Sequence, residues 1–356
     1  METRATLNGG IPALSATAKK ASDLDGAGDR WLKPEILDEA RDWLERRLCA
    51  GGRTVDSVTR AQVRPWGLVL RIDASGETFW FKANAEGGAH EPALMQWLHD
   101  QVPGQVPATV AVDSAHRWWL AADAGRTLAD HDGGAPVPLA AWKEVLTGYA
   151  ALQRRLENTV REAPPGSLTL FGPAEAPQAF AALLDDSRRL LVGDERGLTR
   201  EEHAALVAAL PAFTRWCEEL AAAGIPLTVQ HDDLSDANVC HGANGYTVID
   251  WADAHLAHPF GSLLFPLRSF RDQHALPLGH PDVEALADAY LACWADRLDL
   301  PALRRLMDLA LRVAVVGKAL SWSRALHGLD RTTLNAYYAS PESRWLRKLL
   351  TGTPPY

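Results

Sequence analysis

The pair Asn244-Gly245 constrains this chain more than any other feature. Both central positions of a type I′ turn need positive φ, and Asn followed by Gly is the commonest way to supply it, so the segment predicts a tight hairpin. A turn centred on that pair sets Ala243 opposite Tyr246 and, counting outward, Val239 opposite Asp250, with Asn238 a near-diagonal neighbour. Asn238 and Asp250 are twelve residues apart in sequence, yet the hairpin brings them to the same open end. Cross-strand neighbours have β-carbons within about 4.5–8 Å, close enough for one divalent ion to bridge the two side chains.

Asp233 lies in the loop that feeds the hairpin. One edge therefore presents a carboxylate, an amide oxygen and a second carboxylate. Phosphoryl transfer uses such a set: one Asp accepts the hydrogen of the attacking hydroxyl, while an Asn and another Asp hold magnesium against the phosphates. Hard oxygen ligands suit Mg²⁺. Asp, Asn and Gly are common loop residues, and H-x-D-x-x-x-x-N alone recurs by chance. The specific signal is that pattern joined to the turn and to the ending Ile249-Asp250-Trp251.

These residues resemble the aminoglycoside phosphotransferase and choline kinase superfamily, a phosphotransferase enzyme family with the protein-kinase-like fold. The family's H-G-D-x-x-x-x-N corresponds to His231-Asp232-Asp233-Leu234-Ser235-Asp236-Ala237-Asn238, and its I-D-W/F element to Ile249-Asp250-Trp251. The resemblance covers most of the chain in lobe order, but its specific motifs lie in this one segment. It implies that Asp233 is the catalytic base, that Asn238 and Asp250 are the metal ligands, and that His231 is a structural residue tying the catalytic loop to the Asp250 segment. Two positions depart from the pattern: Asp232 replaces the usual Gly, and Ser235 a frequent His. Neither change removes a ligand. The adjacent Asp232-Asp233 pair leaves open which carboxylate faces the cleft, and Asp233 is preferred because only it keeps the spacing to Asn238.

The nucleotide side is read from TFWFKAN, where alternation puts Phe79 and Phe81 on one face and Trp80 and Lys82 on the other. Such a lysine is often only a strand-edge residue reaching water. The resemblance implies instead that Lys82 contacts the α- and β-phosphates of ATP and is held by a helix glutamate. Glu91 is the best match and Glu86 the rival, since Pro92 pushes the residue before it away from helical geometry. LAADAGRTL resembles the interlobe hinge, where backbone groups from Ala121 to Asp123 would bond adenine. No G-x-G-x-x-G or G-x-x-x-x-G-K-[ST] loop is present, which weighs against a P-loop NTPase. The turn Arg64-Pro65-Trp66-Gly67 would have to cover the phosphates with one glycine.

The coarse pattern predicts an α+β, protein-kinase-like, two-lobed chain. Residues 1–30 read as a loose arm. Residues 31–122 read as an N-lobe: a helix over Pro34 to Leu48, a small antiparallel sheet, and a second helix near 92–100. Residues 123–356 read as a mainly helical C-lobe holding the catalytic loop and acceptor pocket, with helices near 137–158, 175–193, 200–223, 281–298 and 301–327. One β-like island runs from Leu227 to Asp250, and a Pro/Gly-rich interhelical loop spans about 164–177. A cleft between two lobes is a natural ligand site.

Composition narrows the function classes. The formal charge of −9 argues against general nucleic-acid binding and is compatible with a cationic substrate. Cys49, Cys217, Cys240 and Cys293 lie far apart, which suggests neither a disulfide framework nor a zinc site and fits a reducing cytoplasm. No apolar run suggests a signal peptide or a membrane span.

On the acceptor side, Asp253 and Arg268 are candidate pocket residues by position, and the helical tail over 281–350 would form one wall. His258-Pro259 stands where many relatives have Asp-Pro, and His258 reads first as a structural histidine. No A-P-E element follows Asp250, which disfavours a protein kinase. The implied partners are ATP, Mg²⁺ and a small hydroxyl-bearing acceptor: an aminoglycoside-like amino sugar, an antibiotic or a related alcohol. Two rivals remain. One is a catalytically inactive, nucleotide-binding, kinase-like regulatory protein. The other is a metal-dependent hydrolase using His231-Asp232, which the strand-like LTVQ before His231 disfavours.

Overall fold

The structure, a computed structural model, describes residues 28–133, 135–162, 168–242, 245–331 and 334–356. Most of the expected arm (1–27) lies outside this set. Its end is ordered: Asp29–Leu32 form a 3-10 turn, Trp31 is buried, and Arg30 donates to the Pro65 carbonyl at 2.6 Å. Burial of Trp31 against the sheet is what a composition-based reading of residues 28–30 as loose could not register.

Helix α1 (Pro34–Ala50) opens with proline at its first position, where the missing N–H has no partner to lose. Ala40, Trp43, Leu44 and Leu48 form its buried stripe. Strands β1 (Val55–Arg64), β2 (Gly67–Ala74) and β3 (Glu77–Asn84) follow, then α2 (Glu91–Gln101), β4 (Thr109–Asp113) and β5 (Trp118–Ala122). They make one antiparallel sheet in the order β1-β2-β3-β5-β4. Phe79 and Phe81 pack under α1, with Phe81 5.8 Å from Trp43. The opposite face of β3 carries Lys82 toward the cleft. Leu94, Met95 and Leu98 of α2 join the larger, C-terminal core rather than the N-terminal one, so Glu91 is anchored to the body of the protein.

The rest of the chain is mainly helical. It comprises β6 (Arg126–Thr127), α3 (Leu139–Glu162), β7 (Leu170–Phe171), α4 (Ala176–Asp185), α5 (Arg200–Ala222) and β8 (Thr228–Gln230). Then come β9 (Val239–Gly242), β10 (Gly245–Val248), β11 (His255–Ala257), α6 (Leu264–Gln273), α7 (Pro281–Leu291), α8 (Leu300–Ala325), α9 (Ala336–Ala339) and α10 (Pro341–Leu346). A capping box of Thr199 and Glu202 starts α5. The sequence reading misses β6, β7 and β11, which are too short to show a period of two, and α6, whose Pro266 interrupts the helical pattern. Helices α4 and α7 end earlier than expected, at Asp185 and Leu291. Within the expected loop over 164–177, residues 163–167 are outside the described set, and β7 pairs with β11 beyond them.

The hairpin needs a correction. Gly242 pairs with Gly245, His241 with Tyr246 and Val239 with Val248, so the register is two residues from the expected one and Val239 does not face Asp250. Asn244 itself lies outside the described residues. Buried Val239 and Val248 meet in the observed register, whereas the expected one set Val239 against a carboxylate. A slip of two residues keeps every side chain on its face. The open end therefore survives: the Ile249 N–H donates to the Asn238 carbonyl at 2.9 Å, and Asp250 is the next residue out.

Candidate active site

His231 follows β8 and is fully buried. Its Nδ1 accepts the Asp233 N–H at 3.2 Å, which leaves Nε2 protonated to donate to the Ile249 carbonyl at 2.8 Å. Burial pushes its pKa down to about 4, so the ring is neutral. His231 thus ties the Asp233 loop to the Asp250 segment. With both nitrogens engaged it has none for a metal, and the hydrolase alternative loses its ligand.

Asp232 has φ +64°, in the left-handed region that glycine occupies freely and Asp more readily than most residues. This explains why the position that departs from the family's glycine accepts an aspartate. Asp232 is 3% exposed and accepts from Gln230 Nε2 at 3.1 Å, pointing into the protein. Asp233 lines the cleft instead. Burial pushes both carboxyls up to about 7; the charge of Asp253 adds to this and Lys318 opposes it. The Asn238 amide nitrogen donates to the Asp233 carbonyl at 2.9 Å and to its carboxylate at 3.1 Å, which leaves the amide oxygen for another ligand.

Asp250 also has positive φ, +63°, just before a 3-10 turn over Trp251–Asp253. Its side chain is 48% exposed in the cleft, and its carboxylate receives Lys82 Nζ at 2.5 Å. Lys82 meets Glu91 as well, at 2.7 and 2.8 Å. Burial disfavours the ammonium, but the carboxylates of Asp250 and Glu91 outweigh it and raise the pKa. Glu91 is the first residue of α2, so Pro92 takes the second helical position, where its missing N–H costs nothing. Glu86 is exposed and sits 4.0 Å from His327, away from Lys82.

The expected hinge starts at the end of β5. The Ala122 N–H donates to the Ala108 carbonyl at 2.9 Å and the Asp123 N–H to that of Thr78 at 3.0 Å, while Ala121 pairs with Trp80 and Thr109 inside the sheet. The Asp123 carboxylate is held by Trp80 Nε1 at 2.5 Å and by the Gly125 N–H at 3.1 Å. Within the stretch Ala121 to Asp123, whose backbone groups are expected to bond adenine, the N–H groups of Ala122 and Asp123 are engaged with neighbouring backbone carbonyls. In the β1–β2 turn Trp66 stands edge-on to Trp322 and Tyr338, at 5.4 and 5.3 Å, and reaches the C-terminal helices.

A cleft of about 920 Å³ joins these groups; Asp233, Asn238, Asp250, Asp253 and Arg268 all line it. The helical tail forms one wall through Trp322 of α8 and Trp345 of α10. His258 is buried, its Nδ1 accepting the Phe260 N–H at 3.3 Å as a helix cap, and does not line the cleft. Sequence reasoning missed Lys318, which is 3% exposed. From α8 it donates to the Asp232 carbonyl at 3.0 Å and to the Asp253 carboxylate at 2.5 Å. A single lysine inside the apolar run AVVGKALSW was the available signal.

Three solved structures with similar folds put this arrangement in context. A choline/ethanolamine kinase family protein from Mesorhizobium loti is 15% identical, with a TM-score of 0.58 over 89% of this chain and 95% of its own. A wild-type aminoglycoside 2′-phosphotransferase solved with GDP is 15% identical, with a TM-score of 0.55 over 83% and 92%. A choline kinase from Streptococcus pneumoniae is 12% identical, with a TM-score of 0.54 over 88% and 100%. No curated protein matches the chain. The fold is the two-lobed one of the protein-kinase-like phosphotransferases. A sequence model of the phosphotransferase enzyme family matches residues 45–306, and the chain belongs to that family: it is a small-molecule kinase whose acceptor is an alcohol group. No helix among the described residues is long and apolar enough to cross a membrane.

Proposed function

We propose that this chain transfers the γ-phosphate of ATP to a hydroxyl of a small molecule, an amino sugar, antibiotic or related alcohol, with Asp233 as the base. The Asp233 carboxylate takes the hydroxyl proton as the acceptor oxygen bonds to the γ-phosphorus. The bond from that phosphorus to the β,γ-bridging oxygen breaks, and ADP leaves. A carboxyl pushed up to about 7 is poised as a base near neutral pH.

Asn238 and Asp250 would hold Mg²⁺. The donor set fits: one amide oxygen freed by the bonds to Asp233 and one half-exposed carboxylate, both hard oxygens on the same cleft. Bound there, Mg²⁺ would neutralise phosphate charge. Lys82, held charged by Glu91, is suited to the α- and β-phosphates, and the nucleotide would sit between the N-lobe (31–122) and the C-lobe (123–356). The observation that carries the reading is the Lys82 ammonium joining Glu91 to Asp250, a partner 168 residues away in sequence. The joining of Lys82, Glu91 and Asp250, beside Asp233 and Asn238, favours transfer over the inactive kinase-like alternative.

The test is an ATP-consumption screen against hydroxyl-bearing small molecules, with Asp233→Ala as control. The variant should fold, bind ATP and lose transfer by about 10³-fold. Undiminished turnover in Asp233→Ala would remove Asp233 from the reaction.

A further inference from the structure

The charge of the cleft is opposite to that of the protein. The chain is acidic overall, at −9, yet Arg64, Arg268, Lys318, Arg344 and Lys348 line the cleft. Its lining carboxylates are Asp233, Asp250, Asp253 and Asp272. Asp233 and Asp250 stand at the reacting end with Lys82, and Asp253 is neutralised by Lys318. The remaining wall carries four cations against Asp272 alone. That carboxylate is shared by Arg268, at 3.4 Å, and Arg271, at 2.8 Å. Among the described residues Arg64 and Arg344 meet no carboxylate.

Three of these cations are also held in place. The Arg344 guanidinium lies 4.0 Å from the ring centre of Tyr337, and Arg268 and Lys348 lie 5.4 and 5.6 Å from that of Trp345. Stacking on aromatic faces orients a guanidinium without neutralising it. Burial, then the nearby charges of Arg268 and Arg271, push the Lys348 pKa down against the opposing charge of Asp272.

We propose that the acceptor is an anionic hydroxyl compound, whose carboxylate or phosphate is held by Arg344 and Lys348, with Arg268 and Arg64 completing the wall. The proposal rests on the kinase reading for the presence of an acceptor at this cleft, and it narrows the acceptor away from polycationic amino sugars. An oxyanion gains charge-assisted hydrogen bonds from these side chains, whereas an ammonium group meets repulsion in a confined space.

A matched hexose series isolates charge from shape: glucose, glucosamine, glucuronate and glucose 6-phosphate. Each is titrated by tryptophan fluorescence into the full chain carrying Asp233→Asn, so that binding is read without turnover and a failure of the base assignment leaves the result legible. The expected order is glucuronate or glucose 6-phosphate above glucose, and glucosamine weakest; which anion leads tells carboxylate from phosphate. Arg344→Gln and Lys348→Gln should each weaken the anions by about tenfold and leave glucose unchanged. Two variants guard against one that fails to fold. Equal or undetectable affinity for all four sugars, or glucosamine binding best, overturns the proposal. So does a loss of ATP affinity in these variants with the hexose order unmoved, which would assign the wall to the nucleotide.

Discussion

Lys318→Met removes one charge from beneath the Asp233 loop while keeping most of the side-chain volume. In the native protein Lys318 Nζ bonds the Asp232 carbonyl and the Asp253 carboxylate, with the Phe265 ring centre 4.8 Å away. Removing one partner of a buried ion pair costs about 3–5 kcal/mol, and the partial exposure of Asp253 places this case near 3. Burial opposes ionisation of Asp253, but Lys318 outweighs it and holds the pKa well below the usual carboxylate range. Its stabilisation is therefore present above the unfolded value and is lost as pH falls through the folded one. The stability deficit of the variant, read by chemical denaturation, should be full at pH 7 and shrink below about pH 4. Activity gives an independent reading. Burial has raised Asp233 to about 7, and Lys318 is the cation that opposes a further rise. Without it the acid limb of kcat should move up by about one pH unit, which is roughly a fivefold loss at pH 7 that recovers by about pH 9. Lys318→Arg should keep the limb in place. A limb that stays put in Lys318→Met, in a protein destabilised as expected, would refute the electrostatic reasoning and leave Lys318 a purely structural residue.

Other perturbations separate neighbouring groups. Asp232→Asn tolerates the positive φ, and because the native carboxyl is raised to about 7 it weakens the fold progressively as pH rises from about 4 to 7. The variant should be more stable than the native protein at pH 8, by about 1 kcal/mol or more, and should keep its turnover; a loss as deep as that of Asp233→Ala would reverse the choice of base. Lys82→Met leaves the fully buried Glu91 without its partner and should cost about 3–5 kcal/mol in thermal or urea unfolding. Adding Glu91→Gln should restore much of that stability and none of the transfer activity. If activity returns with stability, Lys82 acts only through folding.

What the sequence made legible follows from where each part of the site is written. Asp233, Asn238 and Asp250 lie in one segment, and their meeting survived a wrong hairpin register because a slip of two residues preserves both faces of each strand. Lys82 and Glu91 were legible for a similar reason: one strand and the start of the next helix hold them together, and Pro92, read as an obstacle, is accommodated in the first turn. Backbone donors were not legible. Whether the N–H of Asp123 faces a ligand or the Thr78 carbonyl depends on strand pairing, which side-chain patterns do not report. Lys318 and the basic wall were hidden for a further reason. Arg64, Arg268, Arg344 and Lys348 come from β1, α6, α10 and the turn after it, and only packing brings them to one cleft. Each alone looks like an ordinary surface charge on an acidic protein, so a net charge that suggested a cationic substrate carried no information about the wall that an acceptor would meet. The groups proposed for transfer are concentrated in a short stretch of sequence, whereas those proposed to meet the acceptor are distributed over the fold.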